Sequence, residues 1–206
     1  MIDLLVAVAL ASSPPMSAQP AAAVIQPALD TPQERQALRR LTSCVAQIRP
    51  RWAREMLSYA YLSDDQARLA AQMVSGHDKC LSAPEVAVAF RTSSVVGFAA
   101  EHFIQNDMAG IDPQRVGNAL NTVAPKNVSE DFALCLAAHD PAAALDLTRS
   151  DPGSGEEAKA AGQVAMGLSY CSKPGEGLNV DVQALRALVA TALYRGVAAA
   201  VGPRSD

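Results

Sequence analysis

The chain uses one spacing of cysteine and proline twice. Cys44 begins the stretch CVAQIRP and Cys135 begins CLAAHDP, so each of these cysteines has a proline six residues later. Each is also followed after 36 residues by a second cysteine, Cys80 or Cys171. A spacing that recurs in this way indicates two copies of one small structural unit, neither of which needs to bury a large core alone.

A shift of 91 residues aligns the two stretches without a gap. It brings together identical residues that are uncommon in this alanine-rich chain: Cys44/Cys135, Pro50/Pro141, Gln72/Gln163, Gly76/Gly167 and Cys80/Cys171. After the second cysteine one residue must be dropped, and VVGFAAEHFI (95–104) then matches the hydrophobic pattern of LRALVATALY (185–194). Chance similarity is the alternative explanation, and an internal duplication is the better one.

Composition and helix punctuation both favour an all-α fold. Half of the residues are hydrophobic but only 4% are aromatic, so alanine, the best helix former, supplies much of the apolar surface. Thr31–Glu34 (TPQE) is a capping box, and Pro50 and Pro141 are suited to the first turn of a helix. Ser63 and Ser154 are expected to cap a third helix in each unit, and Ser129 a helix that begins EDFALC. Strand signals are limited to VAVAF (86–90) and LNV (178–180).

The prediction is therefore an all-α chain of two similar small helical units, each closed by one disulfide. Its segments are a signal peptide at 1–23, a flexible lead-in at 24–31, unit 1 at 32–106, a linker at 107–127, unit 2 at 128–200 and a tail at 201–206.

Four cysteines allow three disulfide pairings, and the repeat favours one of them. If each unit was once stable alone, its bridge lies within it, which pairs Cys44 with Cys80 and Cys135 with Cys171. A zinc site is the weaker alternative, because neither a C-x-x-C spacing nor a nearby histidine pair occurs. A catalytic thiol would need a cysteine without a counterpart, and all four have one.

The N-terminus resembles an export signal. Leu4–Ala11 is an apolar run too short for a membrane span, and small residues suited to a signal peptidase follow it. Cleavage is expected after Ala18 or Ala23, although Asp3 stands where a signal peptide has a positive charge. We therefore expect a periplasmic or secreted protein. No other segment is predicted to cross a membrane.

Six arginines lie within 20 residues of the first unit. The formal net charge of −4 argues against a nucleic-acid binder, yet this local cluster would suit an anionic envelope component or another protein. The alternative is a solvated helix face whose arginine stems cover apolar surface. The candidate anion-contact residues are Arg35, Arg39, Arg40, Arg49, Arg51 and Arg54.

No catalytic motif is present. The sequence has no nucleophile elbow, zinc-protease, P-loop or dinucleotide-binding pattern. His77, His102 and His139 have no counterparts in the other unit, and His139 is expected to close a helix. No cofactor and no metal are predicted, and an enzyme is the less favoured reading.

The pattern C-x5-P-x-x-A, a cysteine 36 residues later and the closing LRALVATALY together resemble a group of uncharacterised exported bacterial proteins. The second unit matches best, through CLAAHDPAAALDL (135–147), whereas the first has Arg49 where the group has aspartate. The resemblance supports duplicated helical units and export, and implies no activity. We expect a non-enzymatic binding or envelope-interaction protein. A hydrolase whose residues meet only in three dimensions is the alternative, and homo-oligomers through the apolar C-terminal helix are a further one.

Overall fold

The computed structural model describes residues 24–26, 31–75, 78–80, 91–107, 110–172 and 179–201. The signal peptide, His77, the VAVAF stretch and most of the tail lie outside the described residues. Over these residues the regular secondary structure is helical apart from two three-residue strands, which confirms the all-α prediction.

The described residues of the first half form four α-helices and one turn of 3-10 helix, followed by a short connecting helix. Their bounds are α1 (Pro32–Ile48), α2 (Pro50–Ser58), α3 (Asp64–Val74), the 3-10 turn (Asp78–Cys80), α4 (Thr92–Asp107) and α5 (Pro113–Leu120). Helix α5 lies in the segment that sequence analysis assigned to a linker, and its Val116 and Leu120 are buried.

The second half repeats this order of helices. Its bounds are α6 (Val128–His139), α7 (Pro141–Arg149), α8 (Gly155–Ala165), α9 (Leu168–Cys171) and α10 (Val182–Val201). Helices α2 and α7, and likewise α3 and α8, have bounds that differ by the same shift as the cysteines. A left-handed residue precedes the cap of each third helix, Leu62 with φ 61° and Gly153 with φ 85°.

The helix caps explain most of these bounds. Thr31 and Glu34 form the expected capping box, and Ser63 and Ser154 cap α3 and α8 through their side-chain oxygens. The expected cap at Ser129 is wrong. Asn127 caps α6 instead, since its side chain accepts the backbone N–H of Glu130 and the helix begins before the serine.

A two-stranded parallel sheet joins the N-terminal segment to the second half. Strand β1 (Val24–Gln26) pairs with β2 (Asn179–Asp181), with Val24 opposite Asn179. The strand β2 matches the expected extended stretch LNV. Strand β1 lies in the segment at 24–31 that sequence analysis assigned to a flexible lead-in.

Helices α4 and α10 form the centre of the molecule and pack against each other. Gly97 permits this contact: a Cβ there would lie 2.7 Å from the Cα of Ala187. The first-half core surrounds Met56, Phe98 and Phe103, and the second-half core surrounds residues such as Leu145 and Leu193. The two halves are therefore joined by the packing of α4 against α10.

Helix α10 is the one described helix long and apolar enough to cross a membrane, judged by length and composition alone. Its apolar residues are already used inside the protein, since Leu185, Val189 and Leu193 are completely buried. A core helix of a soluble fold passes the same test, so this finding is weak evidence for a membrane span.

Candidate functional site

The two disulfides have the pairing that the repeat predicts. Cys44 bonds to Cys80 and Cys135 to Cys171, each with a Cα–Cα distance of 5.7 Å. Each bridge ties the first helix of a half to the segment after its third helix. None of the four cysteines is left free for metal binding or catalysis. Disulfides are typical of oxidising compartments.

The structure divides the predicted arginine cluster. Arg35 is buried, and its guanidinium donates to both carboxylate oxygens of Glu157 at 2.9 Å. Arg54 pairs with Asp107 at 2.9 Å and lies over the ring of Phe103. Neither side chain presents a free charge to a soluble anion, so these two arginines stabilise the fold.

The other four arginines are closer to solvent. Arg39 is partly buried and bonds to the Ser150 carbonyl at 3.2 Å and to Asp151 at 3.1 Å. Arg40, Arg49 and Arg51 are exposed, and none of them has an ion-pair partner among the described residues. Arg49 lies over the Trp52 ring on α2, away from Arg40 on α1.

An open groove of about 680 Å³ adjoins the first disulfide. One wall is a single face of α1, the second wall is the last turns of α4, and the turn after α7 closes one end. Two arginines and several amide side chains line it. We call it the arginine groove, and its main residues are Gln36, Arg39, Arg40, Ser43, Gln47, His102, Gln105, Asn106 and Asp151.

The spacing along α1 explains how that wall arises. Gln36, Arg40, Ser43 and Gln47 recur at intervals of three and four residues, so they lie above one another on one helix face. The opposite face of α1 supplies buried residues such as Val45 to the core. Arg40 is consequently held at the middle of the wall with its charge available to a ligand.

His102 lines the groove from α4. Its Nδ1 lies 3.2 Å from the amide nitrogen of Asn106, within hydrogen-bonding distance. Burial lowers the pKa of His102; the nearby Asp107 carboxylate opposes this and Arg54 adds to it. The ring is therefore a neutral hydrogen-bonding group that an anionic ligand would help to protonate.

A buried ionic cluster lies beneath the groove. Arg186 of α10 is completely buried and donates to Glu101 at 2.5 and 2.8 Å and to Glu157 at 2.9 Å. Burial alone would lower the pKa of Arg186, but the carboxylates of Glu101 and Glu157 outweigh it and raise that pKa. Arg39 connects the cluster to the groove, with its Nε 3.4 Å from Glu101.

Sequence reasoning found only the arginines of this site. It did not single out Gln36, Ser43 and Gln47, although they lie on α1 with the arginines. The other lining groups and the buried acids come from segments that are distant in sequence. A usable signal was present, since Glu101 directly follows the apolar run VVGFAA (95–100) and Arg186 interrupts the apolar run ALRALVA (184–190). An isolated charge beside such a run is seldom buried unless a partner of opposite charge meets it.

Within the described residues, no group of three or more histidine, cysteine or acidic side chains is arranged to hold a metal ion. Comparison of the chain with protein-family models, with curated proteins and with solved structures finds no match in any of the three.

Proposed function

We propose that the chain is an exported, duplicated binding protein whose arginine groove holds an anionic component of the cell envelope. Export is supported by the apolar run Leu4–Ala11, by the two disulfides and by the resemblance to exported proteins. Duplication is supported by the common shift of cysteines, caps and helix bounds. The anionic ligand is inferred from the groove itself.

The observation on which the ligand class rests is Arg40, a cation at the middle of the groove wall without an ion-pair partner among the described residues. Arginine binds phosphate and carboxylate through paired N–H groups. The remaining lining includes amides and a hydroxyl, such as Gln47 and Ser43, which bond to hydroxyl groups in either direction. It also includes the Asp151 carboxylate, which Arg39 holds at 3.1 Å. Together these groups suit a sugar that bears a phosphate.

Titration calorimetry with glucose 6-phosphate, glucose and inorganic phosphate tests this proposal. The sugar phosphate should bind more tightly than either of its parts, because each part meets only some of the groups. Arg40→Ala should weaken binding about tenfold or more, which is the effect of losing one charge-assisted hydrogen bond.

Arg51→Ala is the matched control, since it removes an equally exposed arginine outside the groove. Its affinity for glucose 6-phosphate should stay close to that of the unmodified protein. Equal losses in both variants, or equal affinity for glucose and glucose 6-phosphate, would contradict the proposal.

The hydrolase alternative stays a prediction without a supporting observation. His102 contacts an amide, and among the described residues no histidine ring is hydrogen bonded to a carboxylate. We therefore retain the binding function alone.

A further inference from the structure

The second half has a groove whose α6 wall corresponds to the α1 wall of the arginine groove. It has a volume of about 690 Å³ and adjoins the second disulfide. Its α6 wall contains Asp131, Leu134, Cys135 and Ala138. In the alignment that shifts the chain by 91 residues, these residues match Arg40, Ser43, Cys44 and Gln47 of α1, all of which line the first groove.

The chemistry of the two corresponding walls is reversed. The cation Arg40 is replaced by the anion Asp131, and the polar Ser43 and Gln47 are replaced by Leu134 and Ala138. Asp131 is exposed and has no ion-pair partner among the described residues. We call this second site the aspartate groove. Its charge and polarity do not suit the ligand proposed for the first groove.

An exposed aromatic ring lies at the edge of the aspartate groove. The Tyr170 side chain is 77% exposed, although large apolar rings usually find cover, and its ring centroid lies 5.6 Å from that of His139. The absence of a Cβ at Gly167 makes room for this histidine, since a Cβ there would lie 3.2 Å from the ring. The aromatic pair is therefore a supported surface beside a free carboxylate.

The remaining wall is mixed. Leu120 at the end of α5 is buried, and the exposed Asn121, with Val123 and Pro125, completes the side opposite α6. A ligand that fills the groove must therefore offer a positive charge to Asp131, a face to Tyr170 and an aliphatic surface to the far wall. A free amine offers only the first of these, and a sugar lacks the charge and the aliphatic surface.

We propose that the aspartate groove is a second binding site, which takes a peptide segment bearing a lysine or arginine between aliphatic residues. The ammonium or guanidinium group pairs with Asp131. The aliphatic stem of that side chain and its aliphatic neighbours contact Tyr170, Val123 and Pro125. This site goes beyond the proposed function, since it takes a ligand of opposite charge at a separate place.

A titration followed by ¹⁵N NMR of the full chain tests the proposal, with the pentapeptide acetyl-Ala-Leu-Lys-Leu-Ala-amide as the probe. The comparison peptides contain glutamate or the neutral norleucine in place of lysine. The lysine peptide should shift amide signals around Asp131 and Tyr170 and leave those around Arg40 in place. Its affinity should exceed that of the norleucine peptide about threefold or more and fall with added salt.

Three variants assign the effect to the groove. Asp131→Asn and Tyr170→Ala should each weaken lysine-peptide binding about threefold, while Glu55→Gln, an exposed acid outside both grooves, should leave it unchanged. Asp131→Arg, which restores the charge of the first groove, should reverse the preference in favour of the glutamate peptide. Thermal melting of each variant confirms that it is folded.

Absence of lysine-peptide binding would overturn the inference, as would equal binding of the norleucine peptide or an affinity that Asp131→Asn leaves unchanged. Arg40→Ala is expected to leave peptide binding unchanged, because Arg40 lies in the other groove. The two proposals can therefore fail separately, and a negative sugar-phosphate titration would not decide the peptide test.

Discussion

At the scale of single residues, the molecule depends on a charge cluster whose members lie far apart in the sequence. Arg186 is completely buried, yet its guanidinium is satisfied by Glu101, Glu157 and the Ser150 carbonyl at 2.8 Å. A buried arginine is tolerable only when such partners replace its water. The sequence shows that Arg186 and Glu101 each adjoin an apolar run, but it does not show that they meet, because 85 residues separate them.

Removal of one member of this pair should be strongly destabilising. Glu101→Ala leaves Arg186 buried with part of its charge uncompensated, and we expect the free energy of unfolding to fall by about 3–5 kcal/mol. Urea unfolding followed by far-UV circular dichroism measures this loss. Glu55→Gln, an exposed acid, should change the same quantity by no more than about 0.5 kcal/mol. Similar stabilities of the two variants would contradict the assigned role of the cluster.

His102 should make anion binding depend on pH. Its pKa in the free protein is lowered from the ordinary 6.5, so the ring is neutral at pH 7, and a bound anion favours its protonated form. Binding therefore takes up a proton, and affinity should rise as the pH falls below about 6.5. Glucose 6-sulfate is the suitable ligand, because its own charge does not change in this range.

The control for that pH dependence is His102→Gln, which keeps a polar side chain in the groove but cannot titrate. Its affinity for glucose 6-sulfate, measured by calorimetry from pH 5 to 8, should be flat. An equally steep rise in this variant would show that another group takes up the proton.

At the scale of helices, the bounds were predictable because caps and prolines act locally. Thr31, Ser63, Ser154 and the two helix-opening prolines are all at the expected positions. The error at Ser129 has the same local origin, since Asn127 two residues earlier is an equally good cap and begins the helix sooner. Strand β1 escaped prediction because its partner lies far along the chain.

The packing of α4 against α10 is tested by a glycine-to-alanine substitution at two positions, one inside this contact and one outside it. Gly97→Ala puts a Cβ 2.7 Å from the Cα of Ala187, so α4 and α10 must move apart, at a cost of about 1–3 kcal/mol in stability. Gly162→Ala on α8 meets nothing within 4 Å and should stabilise the protein by up to about 1 kcal/mol through helix propensity. Thermal unfolding of both variants checks the opposite signs, and a stabilising Gly97→Ala would contradict the packing.

At the scale of the whole molecule, the two halves are not separated by their connecting segment. Helix α4 of the first half packs along α10 of the second, and the Arg35–Glu157 and Arg186–Glu101 ion pairs also join the halves. The repeated cysteine and proline spacing predicted the order of the helices within each half and its disulfide. It could not predict this shared centre. A fully buried helix is apolar on all sides, so its sequence does not indicate which face contacts a partner helix.

This shared centre leads to a prediction about cooperativity. Removing the second disulfide with Cys135→Ser/Cys171→Ser should lower the stability of both halves together, because separation of α4 from α10 exposes both cores. A 36-residue loop contributes about 4 kcal/mol in the loop-closure model. Trp52, the single tryptophan, reports on the first half alone, and far-UV circular dichroism reports on all helices. In the double variant, both signals should shift to the same lower urea midpoint.

Independent halves would behave differently in that experiment. The Trp52 midpoint would then stay at its original value while the circular dichroism curve divided into two steps, since only the second half would have lost its bridge. The reciprocal variant Cys44→Ser/Cys80→Ser provides the matched comparison. It removes a disulfide that closes a loop of the same length. If the two halves unfold jointly, both variants should show a single transition in which the tryptophan and circular dichroism curves coincide.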